Sequence, residues 1–75
     1  MIKVTLGNNV NRTSVIIDEN TTLRTALEDN GVDYTRGTMH LDGASLAPGD
    51  LDKTFASLGI TDKCFLLSVV KADNA

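Results

Sequence analysis

The side chains able to do chemistry are few and far apart. The one histidine, His40, stands two positions before Asp42. If the strand carrying His40 reaches that far, the two share a face, because alternate strand residues point the same way. A carboxylate can orient a histidine as a base, but without a nucleophile beside the pair there is no site. His40 is therefore read as a solvent-facing strand residue. The alternative is a contact tuned by pH, since histidine titrates near ~6.5. The one cysteine, Cys64, needs a cationic neighbour to become a thiolate. Lys63 is next to it in sequence, yet neighbouring strand residues point to opposite faces, so Cys64 reads as a small buried hydrophobe. A single cysteine closes no intrachain disulfide, and no Cys/His spacing suggests zinc. Asp42, Asp50, Asp52 and Asp62 lack the spacing of a calcium-binding loop with its glycine and terminal glutamate. They read as turn formers and solvated charge. No catalytic residue, metal or cofactor is expected.

The 75 residues include 7 basic and 10 acidic side chains, for a formal net charge of −3; 41% are hydrophobic and 23% charged. That is ordinary for a soluble globular domain, and the length holds one domain. A chain this short buries only about 60% of its unfolded surface, which leaves little for a deep catalytic cleft, so an enzyme is not expected. Lys3, Arg12, Arg24, Arg36, Lys53, Lys63 and Lys71 are scattered, with no two adjacent. Nucleic-acid binding needs clustered cations to release counterions, so nucleic acid is not expected as a partner. The longest apolar stretch, Cys64-Phe65-Leu66-Leu67, is too short to cross a bilayer. The start of the chain lacks the apolar run of a signal peptide, and the Asn-x-Thr triplets at Asn11 and Asn20 read as chance. A disulfide-free domain without these features fits a reducing cytoplasm.

The elements follow from periodicity. Ile2, Val4 and Leu6 alternate with Lys3 and Thr5, the pattern of a half-buried strand. Gly7-Asn8-Asn9 is a turn cluster. A second strand from Arg12 to Asp18 sets Thr13, Val15 and Ile17 on one face, with Ser14 and Ile16 on the other, and closes an antiparallel hairpin. A helix of about ten residues follows, capped by Thr21 or Thr22, with Asp18 and Glu19 near its positive end. Leu23, Ala26 and Leu27 form its inner face. Arg24, Thr25, Glu28 and Asp29 face water, and Asn30-Gly31 stops it. Val32 to Gly37 is a linker in which Tyr34 covers a core edge. Thr38 to Leu41 is a third strand with Met39 and Leu41 on one face, followed by the turn Asp42-Gly43. Ala44-Ser45-Leu46 is a very short strand, Ala47-Pro48-Gly49-Asp50 a loop, and Thr54 to Leu58 one helical turn with Phe55 and Leu58 inward. Lys63 to Lys71 is the last strand. Ile17 and Leu66 are read as core. The domain is expected over 1–71, with 72–75 frayed.

These segments resemble the ubiquitin-like β-grasp family over nearly the whole chain. Met39-His40-Leu41-Asp42-Gly43 is similar to the family's third strand and turn, and Ser45-Leu46 to its short fourth strand. Thr54-Phe55-Ala56-Ser57-Leu58-Gly59-Ile60 resembles its T-L-x-x-Y-x-I segment. The resemblance implies an α+β fold: a mixed sheet of four to five strands in ββαββ order, with one helix packed on one face. In this family covalent chemistry, where there is any, uses a C-terminal Gly-Gly. Only glycine lets an extended tail thread a narrow activating site. This sequence finishes Asp73-Asn74-Ala75, so a conjugated modifier or a sulfur carrier of the thiamin or molybdopterin type is the disfavoured alternative.

Both faces of the last strand are largely apolar. Cys64, Leu66, Ser68 and Val70 lie on one, and Phe65, Leu67 and Val69 on the other. One helix covers one face only. The resemblance implies that Leu66 and Val70 point to the core and that Phe65, Leu67 and Val69 point outward. Leu67, Val69 and His40 then match positions of the family's main protein-binding patch. The expectation is a non-catalytic module whose partner is another protein, present as a monomer or weak homo-oligomer. A subunit that self-assembles through the same apolar strand is the further alternative. A one-residue slip would exchange the two faces.

Overall fold

The computed structural model describes residues 1–8, 10–35 and 37–69. The readings made for Val70, Lys71 and 72–75 lie outside them. Five strands form one mixed sheet in the order β2-β1-β5-β3-β4, and one helix packs on it. β1 (Ile2–Asn8) and β2 (Arg12–Ile17) form the antiparallel hairpin. β5 (Lys63–Val69) runs parallel to β1 and antiparallel to β3 (Thr38–Leu41), and β4 (Ala44–Ser45) completes the far edge. The last strand in sequence is therefore central in space. Both its edges are paired, so self-assembly by strand pairing cannot run through it.

Period two settles the packing. Ile2, Val4 and Leu6 of β1 and Cys64 and Leu66 of β5 are buried, as is Met39 of β3. They meet Leu23, Ala26 and Leu27 of α1 (Leu23–Asp29), with Leu51 and Phe55 closing the open end. Val15, Ile17, Leu41, Tyr34 and Leu58 lie half-buried around this core. Ile17 thus sits at the margin rather than in the centre, because the helix is shorter than the sheet. Seven residues at ~1.5 Å each span about 10 Å.

Helix α1 is three residues shorter than the spacing predicts because its ends are fixed early. The Thr22 hydroxyl accepts from the Thr25 amide at 3.2 Å. At the other end the Asn30 side-chain amide donates to the Ala26 carbonyl at 2.8 Å, and Gly31 takes φ +69°, the left-handed exit that glycine permits. Asp18 and Glu19 do not serve the helix. The Asp18 carboxylate accepts from the Asn20 amide at 2.9 Å, and Glu19 pairs with the Met1 amine at 3.1 Å. Arg24 is not fully in water either: it pairs with Asp52 at 2.7 Å and lies over the Tyr34 ring.

Two further differences lie in the loops. The segment expected as a loop after Ala47 forms a 3-10 turn over Pro48–Asp52. Proline opens it, and the Asp50 carboxylate accepts from the Ala47 amide at 2.9 Å, which buries Leu51. Lys53 beside it, together with that backbone contact, holds the Asp50 carboxyl below the usual range, the lysine being the larger cause. The second 3-10 turn, Ala56–Leu58, follows the sequence reading. Thr54 caps it by accepting from the Ser57 amide at 3.1 Å.

Leu66→Ala removes a fully buried side chain and is expected to cost about 2–5 kcal/mol. Ile17→Ala, at the core margin, is expected to cost distinctly less. Urea unfolding of the two variants checks the order; equal losses would place Ile17 in the core after all.

Candidate functional site

The face of the sheet turned away from α1 carries the candidate site. Along β5 the burial alternates: Cys64, Leu66 and Ser68 are inward, and Phe65, Leu67 and Val69 outward. Phe65 is 46% and Val69 43% exposed, and Leu67 is half-buried. Val70, expected on the inward side, falls outside the described residues. Pairing sets the flanks of this apolar row. Thr5 of β1 lies beside Phe65 and Gly7 beside Leu67. On the other side His40 lies beside Leu67 and Thr38 beside Val69, with Ser45 beyond His40. Phe65, Leu67, Val69 and His40 are therefore brought together on one surface.

Gly7 shapes that surface in a way its turn-like sequence hides. It lies inside β1, not in the turn, and takes φ +139°. A Cβ there would stand 2.1 Å from the Asn11 carbonyl oxygen, so no side chain can occupy the position. The turn itself starts one residue later, where the Asn8 carboxamide oxygen accepts from the amides of Val10 and Asn11 at 2.8 and 2.7 Å. The result is a position without a side chain beside Leu67, buried against the Asn11 and Arg12 backbone. The apolar row is bounded by the hairpin backbone on that flank and by His40 on the other.

Asp42 fixes the row from the end of β3. Its carboxylate accepts from the Phe65 amide at 2.9 Å, and its own amide donates to the Phe65 carbonyl at 2.8 Å. It does so from a turn with positive φ at Asp42 and Gly43. The side chain that could have oriented His40 is thus spent on backbone two rows away. Cys64 is buried on the opposite face, where burial first, and the Asp42 charge second, push its thiol up to about 11. Lys63 points outward, away from it. Asp50 and Asp52 are engaged with Lys53 and Arg24. The potentially reactive groups lie apart, and no cluster among the described residues has the composition of a metal site.

The sheet sets three cations that look scattered in the sequence on one face. Lys3 pairs in register with Lys63, and Arg12 lies beside Gly7; all three occupy outward positions on the same face as the apolar row. No ion pair among the described residues engages them. The outward strand positions of this face carry no carboxylate, although the chain is acidic overall. Acidic side chains lie instead on α1 and in the loops. A concavity lies on the inner side between the hairpin turn and the end of α1, lined in part by Leu6, Asn11, Asn30 and Val32. The Ser68 hydroxyl is buried at its edge with no hydrogen-bond partner among the described residues. Alternation predicts that Ser68 is inward, but nothing local predicts the cleft.

Solved structures share this architecture. A ubiquitin-like domain of an Arabidopsis thaliana protein superposes with a TM-score of 0.71 at 19% identity, over 99% of this chain and 81% of that one. A ubiquitin-like protein from the hyperthermophilic archaeon Caldiarchaeum subterraneum superposes with a TM-score of 0.57 at 16% identity, over 97% of this chain and all of that one, 100%. No protein-family model matches the sequence, and no curated protein matches it. The chain has the ubiquitin-like β-grasp fold, and identities this low speak to fold rather than role.

With its thiol raised, Cys64 is expected to resist alkylation by iodoacetamide at pH 8 in the folded protein and to react on unfolding in urea. Rapid modification of the native state would mean that the β5 register is wrong.

Proposed function

We propose that this protein is a non-catalytic ubiquitin-like interaction module that presents the outer sheet face to another protein. The observation that supports this most directly is the row of Phe65, Leu67 and Val69 on the uncovered face of the central strand. A fully buried side chain of this kind contributes about 1.5–3 kcal/mol. A contiguous apolar patch with a polar rim is the usual mark of a contact surface. The rim adds chemistry. Lys3, Lys63 and Arg12 around the row, with no outward acid among them, favour a partner that offers an apolar anchor flanked by carboxylates. Such charge complementarity acts mainly on association rate and orientation. Three cations beside an apolar row are a weak footprint for nucleic acid, which calls for a denser basic stripe.

The reading needs no catalytic group. His40 acts in it as a rim contact beside Leu67, and Cys64 as core. A modifier or sulfur carrier would instead use the end of the chain, and the sheet face would then serve to dock the activating enzyme.

Phe65→Ser and Val69→Ser are expected to leave the thermal midpoint close to that of the parent protein. Leu67→Ser, at a half-buried position, is expected to lower stability by about 1 kcal/mol. Each is expected to weaken partner capture by about fivefold or more, as loss of a central interface contact does. Capture from lysate, read by quantitative mass spectrometry against the parent, checks this. Unchanged capture by all three variants would remove the outer face from the binding account. Intact mass after incubation with an adenylating enzyme and ATP separates the carrier alternative, which alone requires a C-terminal adduct.

A further inference from the structure

The sheet has two edges, and they are not alike. β4 is two residues long, too short to template another strand. β2 spans six residues, pairs only with β1 among the described residues, and contains no proline. It ends in three β-branched residues, Val15-Ile16-Ile17. Monomeric proteins generally protect such an edge with proline, inward charge or a covering loop. The hydrogen bonds show which groups it leaves over. The Lys3 amide donates to the Asp62 carbonyl at 2.9 Å, and the Asn8 amide to the Asn11 carbonyl at 2.9 Å. Odd residues of β1 thus turn toward β5 and even ones toward β2. In an antiparallel ladder bonded residues lie opposite each other, so Thr13, Val15 and Ile17 bond β1. Arg12, Ser14 and Ile16 direct their backbone N–H and C=O away from the sheet.

We propose that a second copy of this chain occupies that edge, β2 pairing with β2 antiparallel about a twofold axis at Val15. Charge and shape select the register. With Val15 opposite Val15, Ser14 faces Ile16 and Arg12 faces Asp18, each twice by symmetry. A shift of two residues either way sets Arg12 opposite Ile16 or Asn20 and forms no pair of opposite charges. Arg12 has no ion-pair partner among the described residues, and the Asn20 amide engages only Oδ1 of Asp18. On the inner side the two Val15 side chains meet at the narrow, non-bonded spacing of the ladder, and Thr13 lies opposite Ile17. Val15 and Ile17 are positions that the short helix leaves half-buried, and Thr13 is exposed. On the outer side Ile16, 65% exposed, gains the partner's Ser14 as its neighbour. Edge groups and uncovered apolar surface are satisfied by one contact, and that contact is self-complementary, as a twofold requires.

The test is sedimentation equilibrium of the full chain from micromolar to millimolar concentration, with amide exchange read by NMR. The expected result is a monomer–dimer equilibrium in which the Ser14 and Ile16 amides become protected as concentration rises. Ser14→Pro removes an N–H that the monomer does not use and is expected to lower association while leaving the monomer folded. Arg12→Asp and Asp18→Arg, each alone, turn two attractive pairs into repulsive ones and are expected to weaken association about tenfold or more. Mixed in equal amounts they are expected to associate again, because each mixed pair faces an acid with a base. Phe65→Ser and Val69→Ser are expected to leave association unchanged, which keeps this result separate from partner capture by the outer face. A monomer at every concentration overturns the proposal. So does a dimer that Phe65→Ser abolishes and Ser14→Pro and Arg12→Asp leave intact.

Discussion

The parallel pairing of β1 with β5 is the interaction on which the rest of the molecule depends. It brings the last strand between the first and the third, so that each side of β5 faces a different environment. One side is sealed by a helix about 10 Å long and by Leu51 and Phe55. The other has no second layer over it among the described residues. A strand in the middle of a sheet needs apolar residues on its packed side. Here it carries them on both, and the surplus side is where Phe65, Leu67 and Val69 emerge. The same shortage of cover that exposes the outer face leaves Val15 and Ile17 only half-buried at the β2 edge.

The loops make up for the short helix without closing a cleft. Thr22 and Thr54 form a single antiparallel bridge. The Leu23 amide donates to the Lys53 carbonyl at 3.0 Å and the Ala56 amide to the Glu19 carbonyl at 2.8 Å. These contacts stitch the entry of α1 to the 3-10 turns and hold Phe55 and Leu51 beneath the sheet. Groups able to do chemistry are drawn into this scaffolding. Asp42 satisfies the Phe65 backbone, Asp50 caps a turn, Asp52 pairs with Arg24, and Cys64 is packed where thiolate formation is disfavoured. His40 and the apolar row of β5 stay on the outer face.

The sequence was most legible where one period decided the outcome. Alternation alone separated Ile2, Val4 and Leu6 from Lys3 and Thr5, and Cys64, Leu66 and Ser68 from Phe65, Leu67 and Val69. Helical spacing found Leu23, Ala26 and Leu27. Legibility failed where the deciding partner was distant in sequence. Gly7 looked like a turn residue because its constraint is the Asn11 carbonyl, which only the folded hairpin brings near. Asp18 and Glu19 looked like helix-dipole partners, but a local amide and the chain's own amine compete for them at closer range. Ile17 read as core by pattern, and pattern carries no information on how far the helix reaches. The pairing of Lys3 with Lys63 was invisible for the same reason, since only the parallel β1–β5 register places the two lysines side by side.

Pairing at the β2 edge and presentation of the outer face bear on each other geometrically. A twofold axis perpendicular to the sheet keeps both outer faces on the same side, so the edge-paired dimer is one continuous surface carrying two apolar rows. From β5 of one copy to β5 of the other there are five strand spacings, which at ~4.8 Å each sets the rows about 24 Å apart and antiparallel. Arg12, neutralised by Asp18 in that arrangement, leaves the pairs of Lys3 and Lys63 as the cations nearest the rows among the described residues. A partner with two matching epitopes at that span would bind the second intramolecularly, with an effective concentration set by its linker rather than by its solution concentration. A single-epitope partner would gain nothing from the dimer. In the proposed arrangement the edge would govern valence and the outer face recognition, and the two would be separable because Ser14 and Leu67 lie on strands that are not neighbours in the sheet.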